Sequence, residues 1–161
     1  YNRAKENYEL NKDKYRINVK IVHTHIKMHQ YSQALFLIKT LSENENKTDS
    51  LLYLQGDIQF HLKNYIEARD LFTRFSWLHP ESSEASVKIA LCHYNELNED
   101  FALGQLQKTT KKFPERGESY YFMGEIARRN NDITNACSYF HKADSLFVPI
   151  AQDAILNYCQ N

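Results

Sequence analysis

Residues 51–80 read LLYLQGDIQFHLKNYIEARDLFTRFSWLHP, and the fold is decided here. Asn64 followed three residues later by Glu67 has the form of a capping box, in which two side chains satisfy the first orphaned backbone N–H groups of a helix. Tyr65, Ala68, Leu71, Phe72 and Phe75 then recur at helical spacing, an apolar stripe along one face. Pro80 stands where that helix must have ended, since proline lacks the N–H and clashes with the preceding turn. Outward from this stretch, Ala68 falls in a column with Ala34, Ala102 and Ala136, each 34 residues from the next. Four residues after each alanine stand Ile38, Phe72, Leu106 and Phe140, all large and apolar. Twelve before each stand Val22, Gly56, Ala90 and Gly124, all small or β-branched. Gln30, Asn64, Asn98 and Asp132 precede the alanine-bearing helices, three of them good N-caps, and Pro114 follows Pro80 at the same interval.

These columns describe a repeated helix–turn–helix unit. Two helices approach closely where small side chains meet, and bulky residues one turn away fill the flanking space. The pattern resembles the tetratricopeptide repeat. Stretch 49–82 matches it through Leu52, Gly56, Phe60, Ala68, Phe72 and Pro80. Stretch 83–116 matches through Ile89, Ala90, Tyr94, Ala102, Leu106 and Pro114, and 117–150 through Tyr120, Met123, Gly124, Ala136, Phe140 and Ala143. Stretch 15–48 is the most degenerate, keeping Ile21, Val22, Ile26, Tyr31, Ala34 and Ile38. Phe75 and Thr109 stand where alanine is usual, and Val148 where proline is usual.

The resemblance implies an all-α, right-handed superhelical solenoid of antiparallel helix pairs, a single solenoid domain with units at 15–48, 49–82, 83–116 and 117–150. Tyr1, Ala4 and Tyr8 have helical spacing, so 1–14 reads as the trailing helix of a preceding repeat or an N-terminal cap. Ala151, Ala154, Ile155 and Tyr158 make 151–161 a capping helix or the start of a fifth unit. Truncation at both ends is the expectation.

Composition removes other classes. Lys plus Arg is 20 and Asp plus Glu is 20, so the chain lacks the basic footprint on which nucleic-acid binding rests. Residues 1–28 carry seven basic against three acidic groups, read as a solvated helix surface. Four glycines and three prolines are too few for a turn-rich all-β fold. The longest apolar run, Ala34 to Ile38, is far short of the roughly 20 residues of a membrane span. Cys92, Cys137 and Cys159 are odd in number and far apart, and read as free thiols of a reducing compartment, hence a cytoplasmic location.

No Gly-rich phosphate loop, nucleophile elbow or zinc-protease helix occurs, so the chain reads as non-catalytic, with no cofactor. His23, His25 and His29 form the sole histidine cluster, but no cysteine or carboxylate completes a metal set, and no metal is expected. Asn46-Lys47-Thr48 is a formal glycosylation sequon. Trp77 is left open between packing and contact.

The resemblance also implies that the first helix of each unit lines a concave groove. Carried onto this chain, the groove residues are Tyr53, Phe60, Val87, Leu91, Tyr94, Tyr121, Arg128 and Arg129. Such a strip suits an extended peptide or an amphipathic helix, with the aromatics as anchors and the arginine pair facing a partner carboxylate. The competing reading of these aromatics is that they fill gaps between neighbouring first helices. The family's carboxylate clamp for chaperone tails is absent: its positions hold Val19 and His23, or Tyr53 and Asp57. The expected function is a protein-interaction scaffold or adaptor in a multisubunit assembly. Two alternatives stand beside it: a secretion or assembly chaperone similar to those of type III secretion, or a homodimerising subunit of a complex such as the anaphase-promoting complex.

Overall fold

Four turns recur every 34 residues and set the architecture. His29, Lys63, Leu97 and Asn131 all have positive φ, between 57 and 64°. Each donates its N–H three residues back, to Ile26, Phe60, Tyr94 and Arg128. The residue after each donates five back, to the carbonyls of His25, Gln59, His93 and Ala127. These paired bonds satisfy the last carbonyls of a helix, and they need one left-handed residue. The carbonyls of Gln30, Asn64, Asn98 and Asp132 then accept from Ala34, Ala68, Ala102 and Ala136, opening the next helix. The cap side chains differ. The Asp132 carboxylate accepts from the Asn135 backbone and side-chain amides, which hold it below the usual carboxylate range. The Asn64 amide instead donates back to Gln59, and Asn98 makes no side-chain cap.

The computed structural model describes the backbone of residues 2–44 and 48–159 and the side chains of 13–42 and 49–159. Over these the chain is helical, with no strand: α1 (Asn2–Lys27), α2 (Tyr31–Asn44), α3 (Thr48–His61), α4 (Tyr65–Leu78), α5 (Ser83–Asn95), α6 (Glu99–Lys112), α7 (Gly117–Arg129), α8 (Ile133–Ser145) and α9 (Pro149–Tyr158). From Asn2, α1 runs unbroken into the first helix of the 15–48 stretch. The side chains of Tyr1, Ala4 and Tyr8, and the sequon at 46–48, lie outside the described residues.

Two compact units result, Tyr1–Phe75 and Ser76–Asn161. In the first, Tyr15, Val22 and Ile26 of α1 pack with Ala34, Ile38 and Leu41 of α2 and Leu51, Leu54 and Ile58 of α3. In the second, Ala90 and Tyr94 of α5, Ala102 and Leu106 of α6, and Met123 and Ile126 of α7 form one cluster. Ala136 and Phe140 of α8 with Ala154 of α9 form another.

All four column alanines are fully buried. The small and large columns compensate one another in volume. Gly56 and Gly124 face phenylalanine: a methyl built on Gly124 would meet the Phe140 ring at 2.6 Å, and one on Gly56 the Phe72 ring at 2.9 Å. Where the small residue is Ala90 the large one is Leu106, and Val22 shares its cluster with Ile38. Three pairings thus recur in the four hairpins, Gly with Phe twice, Ala with Leu and Val with Ile, the smaller residue set against the larger ring where a ring is present.

The cysteines correct the expectation of free thiols. Cys137 and Cys159 form a disulfide across a Cα–Cα distance of 5.6 Å. They are 22 residues apart in sequence but adjacent in space, because α9 folds back along α8. Cys92 is fully buried in α5 and keeps its thiol.

Candidate functional site

Tyr53 and Phe60 lie on α3 and both are half-buried. The Tyr53 ring sits 5.3 Å from Phe72 and 5.2 Å from Phe75, so it packs its own hairpin together. Phe60 meets Tyr65 edge-on at 5.4 Å, across the α3–α4 turn. At the other face of the same turn region, His61 stacks on Tyr31 and lies 3.7 Å from the Asp57 carboxylate. These aromatics are joints between helices as much as surface.

Six of the expected groove residues fall in the second unit, where α5 and α7 carry them. Val87 and Tyr94 are buried, and Leu91 and Tyr121 half-buried. Tyr94 lies 5.9 Å from Phe122, Phe122 lies 5.2 Å from Tyr121, and Tyr121 lies 5.7 Å from Phe140, an aromatic row from α5 to α8. The arginines close over this row. The Arg129 guanidinium sits 4.0 Å above the Tyr94 ring and donates to Glu99 at 3.3 Å. Arg128 makes a two-pronged pair with Glu125 at 2.9 and 3.3 Å and lies 4.7 Å over the Tyr158 ring. Cation over ring plus carboxylate fork is the favoured geometry for a guanidinium.

The electrostatics follow. Burial pushes the Tyr94 hydroxyl above its ordinary range, against the pull of Arg129. Burial and then the Glu125 charge raise Tyr121. The hydrogen bonds that Arg128 donates to the Glu125 carboxylate raise its guanidinium above the ordinary value. Both tyrosines are therefore uncharged at ordinary pH, and each arginine already faces a carboxylate of its own unit. A partner carboxylate aimed at Arg128 has to compete with Glu125, which lowers the net gain from such a pair. The arrangement is a largely buried set of rings under two guanidinium groups, with Leu91 one turn before Tyr94 on the same helix.

The sequence reading named the arginines and tyrosines but missed their partners. Glu125 stands three residues before Arg128, a spacing that signals a pair on one helix. Glu99 and Tyr158 come from other helices and carry no local signal. The histidines separate: His25 bonds to Gln30 and His29 to the Tyr31 hydroxyl, both at 2.8 Å. Among the described residues no group of His, Cys, Asp and Glu could hold a metal ion. Trp77 is 75% exposed, so its ring is not packed between helices. An apolar groove between α1 and α2, lined by Ile21, His25, Phe36 and Leu37, had no counterpart in the sequence reading. None of the described helices is long and apolar enough to cross a membrane.

Residues 50–82 match the family model of the tetratricopeptide repeat. No curated protein matches the chain. Among solved structures, that of MamA is similar over 92% of this chain and 86% of its own, with a TM-score of 0.69 at 19% identity. YrrB, a tetratricopeptide-repeat protein with an unusual peptide-binding site, is similar over 91% of this chain and 76% of its own, with a TM-score of 0.69 at 20% identity. PcrH, solved in complex with the chaperone-binding region of PopD, is similar over 71% of this chain and 87% of its own, with a TM-score of 0.60 at 16% identity. At these identities the likeness is one of fold.

Proposed function

We propose that the chain is a tetratricopeptide-repeat array and a non-catalytic binding module whose second unit captures a segment of another protein on the α5–α7 face. The observation that carries this reading is the aromatic row from Tyr94 to Phe140, in which Tyr121 is only partly buried, with partly buried Leu91 one turn before Tyr94 on α5. Rigid aromatics supply large contact area at low conformational cost, which is how binding anchors work. The internal pairing of both arginines favours an apolar or amphipathic segment over an acidic one. Role as a scaffold within a multisubunit assembly is our first reading. A chaperone that shields an amphipathic segment is the second, favoured by the likeness to PcrH in complex with part of PopD. Homodimerisation through the same face would compete with either.

The test is a selection of displayed peptides against the folded chain, followed by titration of the chosen peptides into Leu91→Ala and Arg129→Ala. Neither side chain is fully buried, so helicity by circular dichroism is expected to survive. Affinity for an apolar peptide is expected to fall about tenfold or more in Leu91→Ala, the size of a hot-spot truncation. Peptides that bind both variants as tightly as the parent chain would remove this face from consideration, and a dimer in light scattering would favour self-association.

A further inference from the structure

We infer that the Cys137–Cys159 disulfide is a lock that holds α9 closed over the second unit, and that the chain matures in a compartment where disulfides are made. The argument begins with how little else holds α9. It has ten residues, below the length at which a helix is stable by itself in water. Its buried residues are Ala151 and Ala154, whose side chains are single methyl groups. Ile150, Leu156 and Tyr158 are 52, 54 and 42% exposed, so its large apolar side chains contribute only part of their area. Ile155 is the large side chain of α9 that packs inward, and the surface it meets is apolar: Ala136 and Phe140, with Tyr121 and Ala127 packed around them. A weakly buried helix over a strongly apolar face is where a covalent tie matters most.

The disulfide is placed for that role. Cys137 lies in the first turns of α8, one residue after the column alanine Ala136. Cys159 is the C-cap of α9. The bond therefore ties down the end of α9 farther along the chain, while the short α8–α9 turn holds the other. It also keeps Tyr158 beneath the Arg128 guanidinium, 4.7 Å away, so the lock reaches the edge of the candidate site. Closing the bond removes two electrons and two protons from the thiols. Thiol–disulfide exchange with an oxidised dithiol carrier supplies the balance: one thiolate attacks the carrier disulfide, the second displaces the carrier from the mixed disulfide, and the carrier leaves reduced. Such carriers act in oxidising compartments, and reducing cytosol opposes them. The expectation of a cytoplasmic location rested on unpaired thiols, and this pairing withdraws its support.

The test uses the whole chain, equilibrated in glutathione buffers poised as in a secretory or periplasmic space, then alkylated and mapped by mass spectrometry. The expected result is a linked pair of Cys137 and Cys159 peptides, with Cys92 labelled only after denaturation. Free, alkylated Cys137 and Cys159 in that buffer would overturn the inference. Hydrogen exchange then reads the lock itself, in the Cys137→Ser, Cys159→Ser double variant and in the parent chain with reductant added. The amides of α9 are expected to exchange at least about tenfold faster in both, while those of α5 and α6 stay protected and report that the fold persists. Unchanged α9 protection in the reduced parent chain would also overturn it.

Discussion

Gly124 and Phe140 show how single residues fix a helix crossing. A methyl at 124 would lie 2.6 and 2.7 Å from two ring carbons of Phe140, a residue with no exposed surface to retreat into. Gly124→Ala is expected to destabilise the chain by about 1–3 kcal/mol, the usual range for overpacking. The protein already contains the compensated form, since Ala90 is matched by Leu106 in the neighbouring hairpin. Adding Phe140→Leu to Gly124→Ala should recover much of the loss, with a coupling energy of about 1 kcal/mol or more in a double-mutant cycle. Urea midpoints of the four proteins measure it. Strict additivity would mean that the two residues do not share one site.

At the scale of the element, the helix-closing turns are the point of strain. Leu97 closes α5 at φ 59° with its side chain 77% exposed. A leucine in the left-handed region costs about 1–2 kcal/mol, and here packing returns little of it. Leu97→Gly is expected to raise stability by about 0.5–1 kcal/mol, after the added freedom of the unfolded glycine is deducted. A higher melting temperature with unchanged helicity is the predicted readout. A lower one would show that the exposed leucine makes contacts that the turn needs. The same four turns explain why the hairpins recur in step. Each combines a left-handed residue, a five-back bond and a carbonyl that opens the next helix, and the interval between them equals the interval between column alanines.

For the molecule as a whole, the charge balance of 20 against 20 hides a pH response carried by the second unit. Tyr94 and Tyr121 both titrate above their ordinary value in the folded chain, chiefly because burial disfavours the anion. An unfolded tyrosine titrates near 10. A folded value above that means the contribution to stability is complete below about pH 10 and is lost as pH rises through the folded value. Urea midpoints should therefore fall between pH 8 and pH 11. Tyr94→Phe should make that fall shallower, since phenylalanine keeps the ring under Arg129 and has no proton to lose. An identical fall in the variant would assign the alkaline response to other groups.

The repeat interval, the helix pairs and the buried alanine column were all legible in the sequence, because helical periodicity and the smallness of residues at crossings are local properties that repeat. Gly56 opposite Phe72 and Gly124 opposite Phe140 could be read in the same way, from one column set against another. Other features were decided only by tertiary structure. Cys137 met Cys159 because α9 folds back on α8, and 22 residues of chain say nothing of that return. Glu99 reached Arg129 across thirty positions, so the arginine expected to await a partner already had one. Long side chains and thiols take their meaning from whatever neighbour the packing brings, and a neighbour from another helix leaves no mark at any fixed spacing.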